Sequence, residues 1–307
     1  WTGTGRARTS TTERTVRAVP HHLQTRVSDS IWAALVDRAA TSGTSVSHLV
    51  QCALAEALDI DHHSIFQVST SGAIVRGLYQ GCVSVADLRR HGDVGIGTFD
   101  GLDGELVMLD GHCYRARADG TVEPAGDEEL TPFATVVGFV ADRSLELRGV
   151  GTYDQLTGTL DHVRDSANTI VAFRVRGTFD SLVVRAACRA APGEDLVHAT
   201  ARQAEFELAD VPAAVVGFWS PQYAKAISIA GYHLHAITDD RTRGGHVLGL
   251  SASRLVVEVH EVNDVHLAIP ETEEFLVADL NGDQDSELAV AEHTRRGSDS
   301  RREVTDP

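Results

Sequence analysis

The sequence predicts an α+β protein dominated by β-sheet, with a small strand–helix–helix module in front of it. Two observations lead to this prediction. From residue 61 onward, most of the chain consists of short apolar or alternating segments separated by turns rich in Gly and Asp, and such segments are typical of strands. Only a few stretches of the same region have helical spacing. Many short strands with few helices indicate an α+β chain in which sheet predominates.

Length, composition and charge exclude several classes of protein. The 307 residues suffice for two or more compact units, and the 42% apolar and 23% charged residues are ordinary for a globular protein. A formal net charge of −17 disfavours a protein that mainly coats nucleic acid or anionic membrane. No apolar run approaches the roughly 20 residues that a membrane helix requires. Without a recognisable secretory signal, we expect a cytoplasmic protein with reduced cysteines.

The first sixty residues are interpreted as a separate unit. Residues 1–17 are rich in Thr, Ser and Arg, and we expect a disordered arm there. Residues 18–60 predict a short strand at residues 22–27 and then two helices, the first capped by Ser28 or Asp29. This order resembles the ribbon-helix-helix module, whose strand pairs with that of a second copy. The resemblance therefore implies a homodimer.

In DNA-binding relatives of that module, the paired strands enter the major groove. Gln24 and Arg26 are the candidate side chains for such contacts here, and residues 1–30 are the candidate region. The large acidic domain behind the module would repel phosphate. A dimerisation module without DNA affinity is therefore favoured, and nucleic-acid binding stays the alternative.

The elements of the larger region are predicted from local patterns. Helices are expected up to residue 78, at residues 83–90 and at residues 151–163. Strands are expected at residues 65–71, 95–99, 105–110, 113–117, 135–140, 170–179, 182–185, 204–208, 213–219, 226–236, 246–250, 254–262 and 265–267. Residues 182–185 are expected to pair with residues 170–179. Residues 118–131 are interpreted as an acidic loop.

Three histidines in the last third of the chain have the spacing of metal ligands. His233 and His235 are two apart in a predicted strand, so their side chains face the same way. The polar run at residues 238–245 ends in two glycines and predicts a hairpin turn that brings His246 beside them. Three imidazoles without a fourth protein ligand are typical of a catalytic zinc site. Manganese, iron and nickel also suit imidazole, and a chance His-x-His pair among 15 histidines is the alternative.

Several motifs, in order, strongly resemble α-acetolactate decarboxylase. They are HGDVGIGTF at residues 91–99, LDGELV at 102–107, GFWSPQY at 217–223, AGYHLH at 230–235, DDR at 239–241 and GGHVL at 244–248. The resemblance implies a two-part fold of mixed and antiparallel sheets over residues 61–292. The polar segment after it, residues 293–307, is expected to be a disordered tail. It also implies conversion of (S)-2-acetolactate to (R)-acetoin and CO2, within acetoin and 2,3-butanediol biosynthesis.

The same resemblance implies roles for particular residues. Loss of CO2 from a β-keto acid leaves an electron pair that needs a sink, and a Lewis-acid metal supplies it, so no organic cofactor is required. Arg185, six residues beyond Gly-Thr-Phe, matches the family arginine, and a guanidinium is well suited to hold the substrate carboxylate. Arg174 and Arg176 are interpreted as solvated or ion-paired side chains.

Two carboxylates and a hydroxyl complete the implied site. Glu105 matches a family acid, and Thr98 matches a hydroxyl that lines the site and contacts substrate. Glu292 matches the acid of the family's C-terminal tail, which would fold back toward the metal. Which carboxylate delivers the proton is left open.

Two other classes of function compete with the decarboxylase. One is a DNA-binding regulator whose large domain senses a metabolite, and the other is a metal-dependent hydrolase or isomerase on a His-x-His sheet. The regulator hypothesis does not explain why Glu105, Arg185 and three histidines occur together.

Overall fold

The structure is a computed structural model that describes residues 14–16, 23–42, 46–57 and 63–280. Two helices, α1 (Asp29–Ser42) and α2 (Val46–Ala57), form an N-terminal pair. The Ser28 hydroxyl accepts a hydrogen bond from the Ile31 amide, and the Ser28 carbonyl accepts one from the Trp32 amide. Ser28 is therefore the N-cap of α1, one of the two caps that the sequence predicts.

Most of the remaining chain forms two large sheets. The six-stranded sheet contains β1 (Arg14–Val16), β10 (Arg143–Val150), β11 (Ile170–Ala186), β12 (Ala204–Ser220), β13 (Gly231–Thr238) and β14 (Gly244–Val262). Its order is β1-β10-β14-β11-β12-β13, and β13 also pairs with β14. Every pairing in it is antiparallel.

The second sheet has seven strands and is mixed. Its members are β2 (Ser64–Val68), β4 (Val94–Thr98), β5 (Glu105–Leu109), β6 (His112–Ala116), β7 (Val122–Pro124), β9 (Ala134–Val137) and β15 (Asp264–Ala268). The order is β15-β2-β9-β4-β5-β6-β7, with β15 parallel to β2. A small third sheet pairs β3 (Val83–Ser84) with β8 (Leu130–Thr131). The predicted α+β architecture of mixed and antiparallel sheets is confirmed.

The two large sheets pack against each other through a shared core. One buried cluster contains Ile96 and Val107 from the seven-stranded sheet together with Val216 and Ile237 from the six-stranded sheet. Alternation puts the other side chains of these strands on the outer faces. There α5 (Tyr153–Val163) packs on the six-stranded sheet and α4 (Val85–His91) on the seven-stranded sheet. Residues of α3 (Ser71–Val75) and α6 (Leu196–Thr200) share another buried cluster, and α7 (Glu273–Val277) has no buried residue. No helix in the described part of the chain is long and apolar enough to cross a membrane.

Several expectations about strands were wrong. Residues 182–185 do not pair with residues 170–179, because both belong to the single strand β11, whose partners are β12 and β14. The polar pair Asp180–Ser181 has the composition of a turn, but both residues lie within one continuous strand, Asp180 exposed and Ser181 half-buried. The acidic loop at residues 118–131 contains the short strands β7 and β8.

The predicted strand at residues 22–27 is also absent from residues 23–27, which form no strand. A ribbon strand obtains its hydrogen bonds from a second copy, and a single chain does not supply one. Within the predicted disordered arm, Arg14–Val16 instead form β1 and pair with β10. The rest of the arm and the tail beyond residue 280 lie outside the described residues.

Candidate active site

The three predicted metal ligands converge on one point. His235 on β13 lies directly opposite His246 on β14, and His233 projects from the same face of β13. The side-chain nitrogens of the three residues lie within 4.8 Å of one another, and all three are buried, with exposures of 8%, 1% and 4% for His233, His235 and His246. The hairpin joining β13 to β14 therefore brings the third imidazole to the pair, as the sequence predicts.

One contact fixes the tautomer of His235. Its Nδ1 lies 2.8 Å from the carbonyl oxygen of Leu106 on β5 of the other sheet. A carbonyl can only accept, so Nδ1 carries the proton and Nε2 presents its lone pair. Burial, with a smaller contribution from His233, holds the pKa of His235 well below its usual range. The ring is therefore neutral, as a metal ligand must be.

The orientations of the three rings also suit a metal. The planes of the ring pairs meet at 81°, 42° and 71°, so the nitrogens approach from three directions. Three imidazole ligands would leave a further coordination position of a bound ion to water or substrate. The donor set therefore fits a divalent transition metal with an open coordination position.

Glu105 reaches this site from the seven-stranded sheet. It is the first residue of β5, and its Oε2 lies 3.7 Å from Nε2 of His235. Its Oε1 accepts a hydrogen bond from the Ala187 amide at 3.2 Å. The residue is 8% exposed, so it is not a solvated turn residue. The candidate site thus lies at the junction of the two sheets.

Thr98 stands opposite Glu105 in the ladder between β4 and β5. Its hydroxyl donates to the Gly104 carbonyl at 2.8 Å and so closes the turn that leads into Glu105. Gly104 has a φ of +94°, and a Cβ there would lie 2.6 Å from the Ala116 carbonyl oxygen. That turn therefore requires glycine, which explains the Leu-Asp-Gly-Glu motif in structural terms.

Arg185 lies on β11 directly opposite His246. Its side chain is buried, and its Nη1 donates to Oε1 of Gln203 at 2.7 Å. Arg174 and Arg176 are elsewhere: Arg174 binds Glu258 at 2.7 Å and Arg176 binds Asp110 at 2.9 Å. Their interpretation as ion-paired side chains fits these contacts.

A cleft of about 470 Å³, counting its open mouth, connects these groups. Thr98, Glu105, Arg185, His233 and His246 line it. The apolar part of its wall comprises Ile74, Leu102, Phe133, Leu196 and Ile229. The polar groups therefore converge at one part of a mostly apolar chamber, which suits a small substrate with one charged end.

Three contacts at the site were missed by the sequence analysis: the Gln203 side chain, the Leu106 carbonyl and the Ala187 amide. The last two are backbone groups, which leave no signature in residue types. Glu292, the other predicted acid, lies outside the described residues.

A second group of possible metal ligands comprises His63, Asp142 and His260. Here the two imidazole rings are nearly parallel, with an interplanar angle of 10° and centroids 4.7 Å apart. The lone pair of an imidazole nitrogen lies in the plane of its ring. Lone pairs of two stacked, parallel rings therefore lie in two parallel planes, whereas the ligands of one ion must point to a common centre. This cluster therefore lacks the arrangement of the first one.

Comparison with known proteins decides the family. The sequence profile of alpha-acetolactate decarboxylase matches residues 65–282. The chain belongs to the alpha-acetolactate decarboxylase family. The matched segment begins after α1 and α2 and contains every described residue of the candidate site.

Individual decarboxylases agree with this assignment. The alpha-acetolactate decarboxylase of Methanosarcina mazei is 38% identical over 229 residues, which are 74% of this chain and 80% of that protein. The Lactococcus lactis subsp. lactis protein is 35% identical over 218 residues, or 71% and 92% of the two chains. The crystal structure of alpha-acetolactate decarboxylase from Bacillus subtilis strain 168 superposes with a TM-score of 0.73 at 31% identity, covering 75% of this chain and 100% of that one.

Proposed function

We propose that this decarboxylase converts (S)-2-acetolactate to (R)-acetoin and CO2 at a metal centre held by His233, His235 and His246. The observation that carries the proposal is the convergence of three buried imidazoles, one carboxylate and one guanidinium around a single cleft. Zinc is the leading candidate for the ion, because three histidines with an open position are typical of catalytic zinc. No organic cofactor is included in the proposal.

When bound, the metal would act as a Lewis acid that stabilises the electron pair left on the substrate when CO2 departs. Arg185 binds the substrate carboxylate and orients it. The guanidinium is a planar donor that matches a carboxylate, and its burial at the cleft strengthens the attraction. Because β11 places Arg185 directly opposite His246, the carboxylate is held beside the reacting carbon.

Glu105 is assigned to proton transfer. The Ala187 amide bonds to its Oε1, whereas its Oε2 lies 3.7 Å from His235 Nε2 and faces the position where the ion would bind. Oε2 is therefore the oxygen that would carry the proton to the product carbon. Thr98 lines the cleft and orders the turn before Glu105. Glu292 stays a second candidate acid.

The N-terminal helices are proposed to pair with those of a second copy. Ile31 and Trp32 on α1 are 51% and 54% exposed, and Leu54 on α2 is 41% exposed. Large apolar side chains exposed together are typical of an interface. The resemblance to the ribbon-helix-helix module indicates that the partner at this interface is a second copy of the chain. Deleting residues 1–60 should leave turnover intact and weaken association between subunits. Light scattering should then give fewer subunits per particle than for the full chain.

An inactive truncation that still folds and holds its metal would show that the boundary at residue 60 is wrong. A gel-shift with non-specific duplex DNA at low salt tests the alternative of nucleic-acid binding, because phosphate contacts are strongest there.

The central experiment measures CO2 and acetoin released from acetolactate, before and after treatment with a chelator. Activity should disappear with the metal and return when zinc or manganese is added. Full activity in the metal-free protein would contradict the metal-dependent mechanism, and no acetoin from the metal-loaded protein would contradict the proposed reaction itself.

A further inference from the structure

The polar and apolar parts of the cleft are carried by different kinds of structure. The polar side chains proposed for the reaction all lie on strands: Thr98, Glu105, Arg185, His233 and His246. The large apolar side chains of the wall lie on short helices or in connections between strands: Ile74, Leu102, Phe133, Leu196 and Ile229. The reacting groups and the apolar wall therefore belong to separate elements, so that one can change without the other.

The apolar wall forms the closed end of the cleft. Its five residues are at most 6% exposed and pack into one buried cluster. The helices α3 and α6 also bring two hydroxyls to the cleft, and both donate to main-chain carbonyls. Ser71 Oγ donates to the Lys225 carbonyl at 2.6 Å, and Thr200 Oγ1 donates to the Leu196 carbonyl at 2.8 Å. This end of the cleft is therefore suited to alkyl groups rather than to a second carboxylate.

The proposed function uses every polar group of acetolactate elsewhere in the cleft. Arg185 binds the carboxylate, which leaves the hydroxyl and ketone oxygens for the centre formed by the three histidines. The two methyl groups are the parts of the substrate that remain to meet the apolar wall. The side chains at the closed end therefore decide how large an alkyl group fits.

Ile229 is the residue of this wall that is nearest in sequence to a metal ligand. It lies on the connection from β12 to β13, four residues before His233, so their Cα atoms are at most about 14 Å apart. The hydrogen bond from Ser71 to the Lys225 carbonyl fastens this connection to α3, which carries Ile74. Ile229 is thus held in the apolar wall beside the strand that carries two of the histidines.

We propose that Ile229 is a specificity-determining residue, which limits the size of the alkyl groups that the substrate can carry. The inference rests on the proposed function, in which Arg185 and the histidine centre bind the polar groups of acetolactate. It predicts that a smaller side chain at this position admits larger homologues of acetolactate. The metal content should not change, because the three histidines lie on strands that do not include Ile229.

The test uses the full-length, metal-loaded enzyme and two homologues of acetolactate. In each homologue a propyl group replaces one methyl group, either on C2 or on the ketone. For Ile229→Ala, the kcat/KM of at least one homologue, divided by that of acetolactate, should rise about tenfold or more, the effect of burying two further methylene groups. Ile229→Val removes a single methyl group, and the same ratio should rise about two- to fourfold. Elemental analysis should give the wild-type metal content for both variants.

Ile170→Val is the matched control. Ile170 and Ile229 are equally buried, with exposures of 5% and 6%, but Ile170 packs in the core shared by the two sheets and does not line the cleft. This variant should leave the ratio unchanged. If Ile229→Ala does not fold, the conservative Ile229→Val decides the question.

Three results would overturn the inference: an unchanged ratio for both homologues in Ile229→Val, an equal rise of the ratio in Ile170→Val, or a loss of metal from Ile229→Val. Failure of the proposed reaction would look different, because wild type itself would then form no acetoin from acetolactate.

Discussion

The two histidine clusters of this protein have similar ingredients but different geometries. In the first, His233, His235 and His246 occupy neighbouring strands of one sheet, and their rings meet at large angles. In the second, His63 and His260 stack face to face beside Asp142. Composition and proximity alone would give both clusters equal standing as metal sites. The direction of the ring planes distinguishes them, and it is the reason that the proposed metal centre is the first cluster.

The two clusters also differ in their hydrogen-bond partners and neighbouring side chains. Nδ1 of His235 donates to a carbonyl of the opposite sheet, and the candidate acid Glu105 and Arg185 surround the cleft. Nδ1 of His260 donates to the Val140 carbonyl at 2.7 Å, while the Asp142 carboxylate accepts from the Glu261 amide at 2.8 Å. The second cluster thus brings His63, just before β2, against His260 of β14.

The largest effect should come from removing one ligand of the first cluster. We expect His233→Ala to lose all measurable turnover and to retain its circular dichroism spectrum, because two imidazoles hold a metal poorly and the fold does not depend on the third. His63→Ala is the matched control from the second cluster and should decarboxylate acetolactate at close to the wild-type rate. Loss of activity in His63→Ala with retention in His233→Ala would reverse the assignment.

The second-largest effect should come from removing the candidate general acid, Glu105. Glu105→Gln preserves the shape and removes the proton, so kcat should fall about 10²–10⁴-fold if Glu105 is the general acid. Its metal content should not change. Glu128→Gln, at an exposed carboxylate, serves as the control and should have wild-type kinetics.

Glu292→Gln and a chain ending at residue 281 address the competing acid. If Glu292 delivers the proton, both should lose about 10²–10⁴-fold in kcat with the metal still bound. Full rates in both would leave Glu105 as the acid, whereas a normal kcat in Glu105→Gln would favour Glu292.

Whether a contact in this site could be predicted from the sequence depends on how far apart its two residues lie along the chain. His233, His235 and His246 could be predicted because strand alternation and a hairpin are local patterns. The contact of His235 with the Leu106 carbonyl joins residues 129 positions apart and involves a backbone atom, so no residue pattern indicates it. The hydrogen bond from Arg185 to Gln203 could not be predicted either, because it forms only when β12 lies beside β11.

Local patterns also account for the strand predictions that were wrong. The polar residues Asp180 and Ser181 have the local features of a turn, yet Ser181 pairs with Ala209 of β12 and Ser251 of β14, and the strand continues. Tertiary hydrogen bonding overrides local propensity there. The strand expected at residues 22–27 was inferred from its position before two helices, and residues 23–27 form no strand.

The smallest effect concerns the pH dependence of stability at the second cluster. Burial lowers the pKa of His260 below its usual 6.5, and the neighbouring His63 lowers it further, while the Val140 carbonyl and the Asp142 and Asp93 carboxylates oppose the shift. The unfolded chain therefore takes up this proton at higher pH than the folded one. Its contribution to stability is present above pH 6.5 and is lost as the pH falls through the folded pKa.

Urea unfolding of wild type and His260→Gln between pH 8 and pH 5 would measure this contribution. The free energy of unfolding should fall less steeply with acidification in the variant. Equal slopes for the two proteins would show that His260 does not titrate differently in the folded state.

Metal content per chain is the most direct test of the central claim that ring geometry selects the first cluster. Elemental analysis of purified wild type, His233→Ala and His63→Ala should give one transition-metal ion, essentially none, and one, respectively. Two ions per wild-type chain, or an ion that survives His233→Ala and is lost in His63→Ala, would contradict the account.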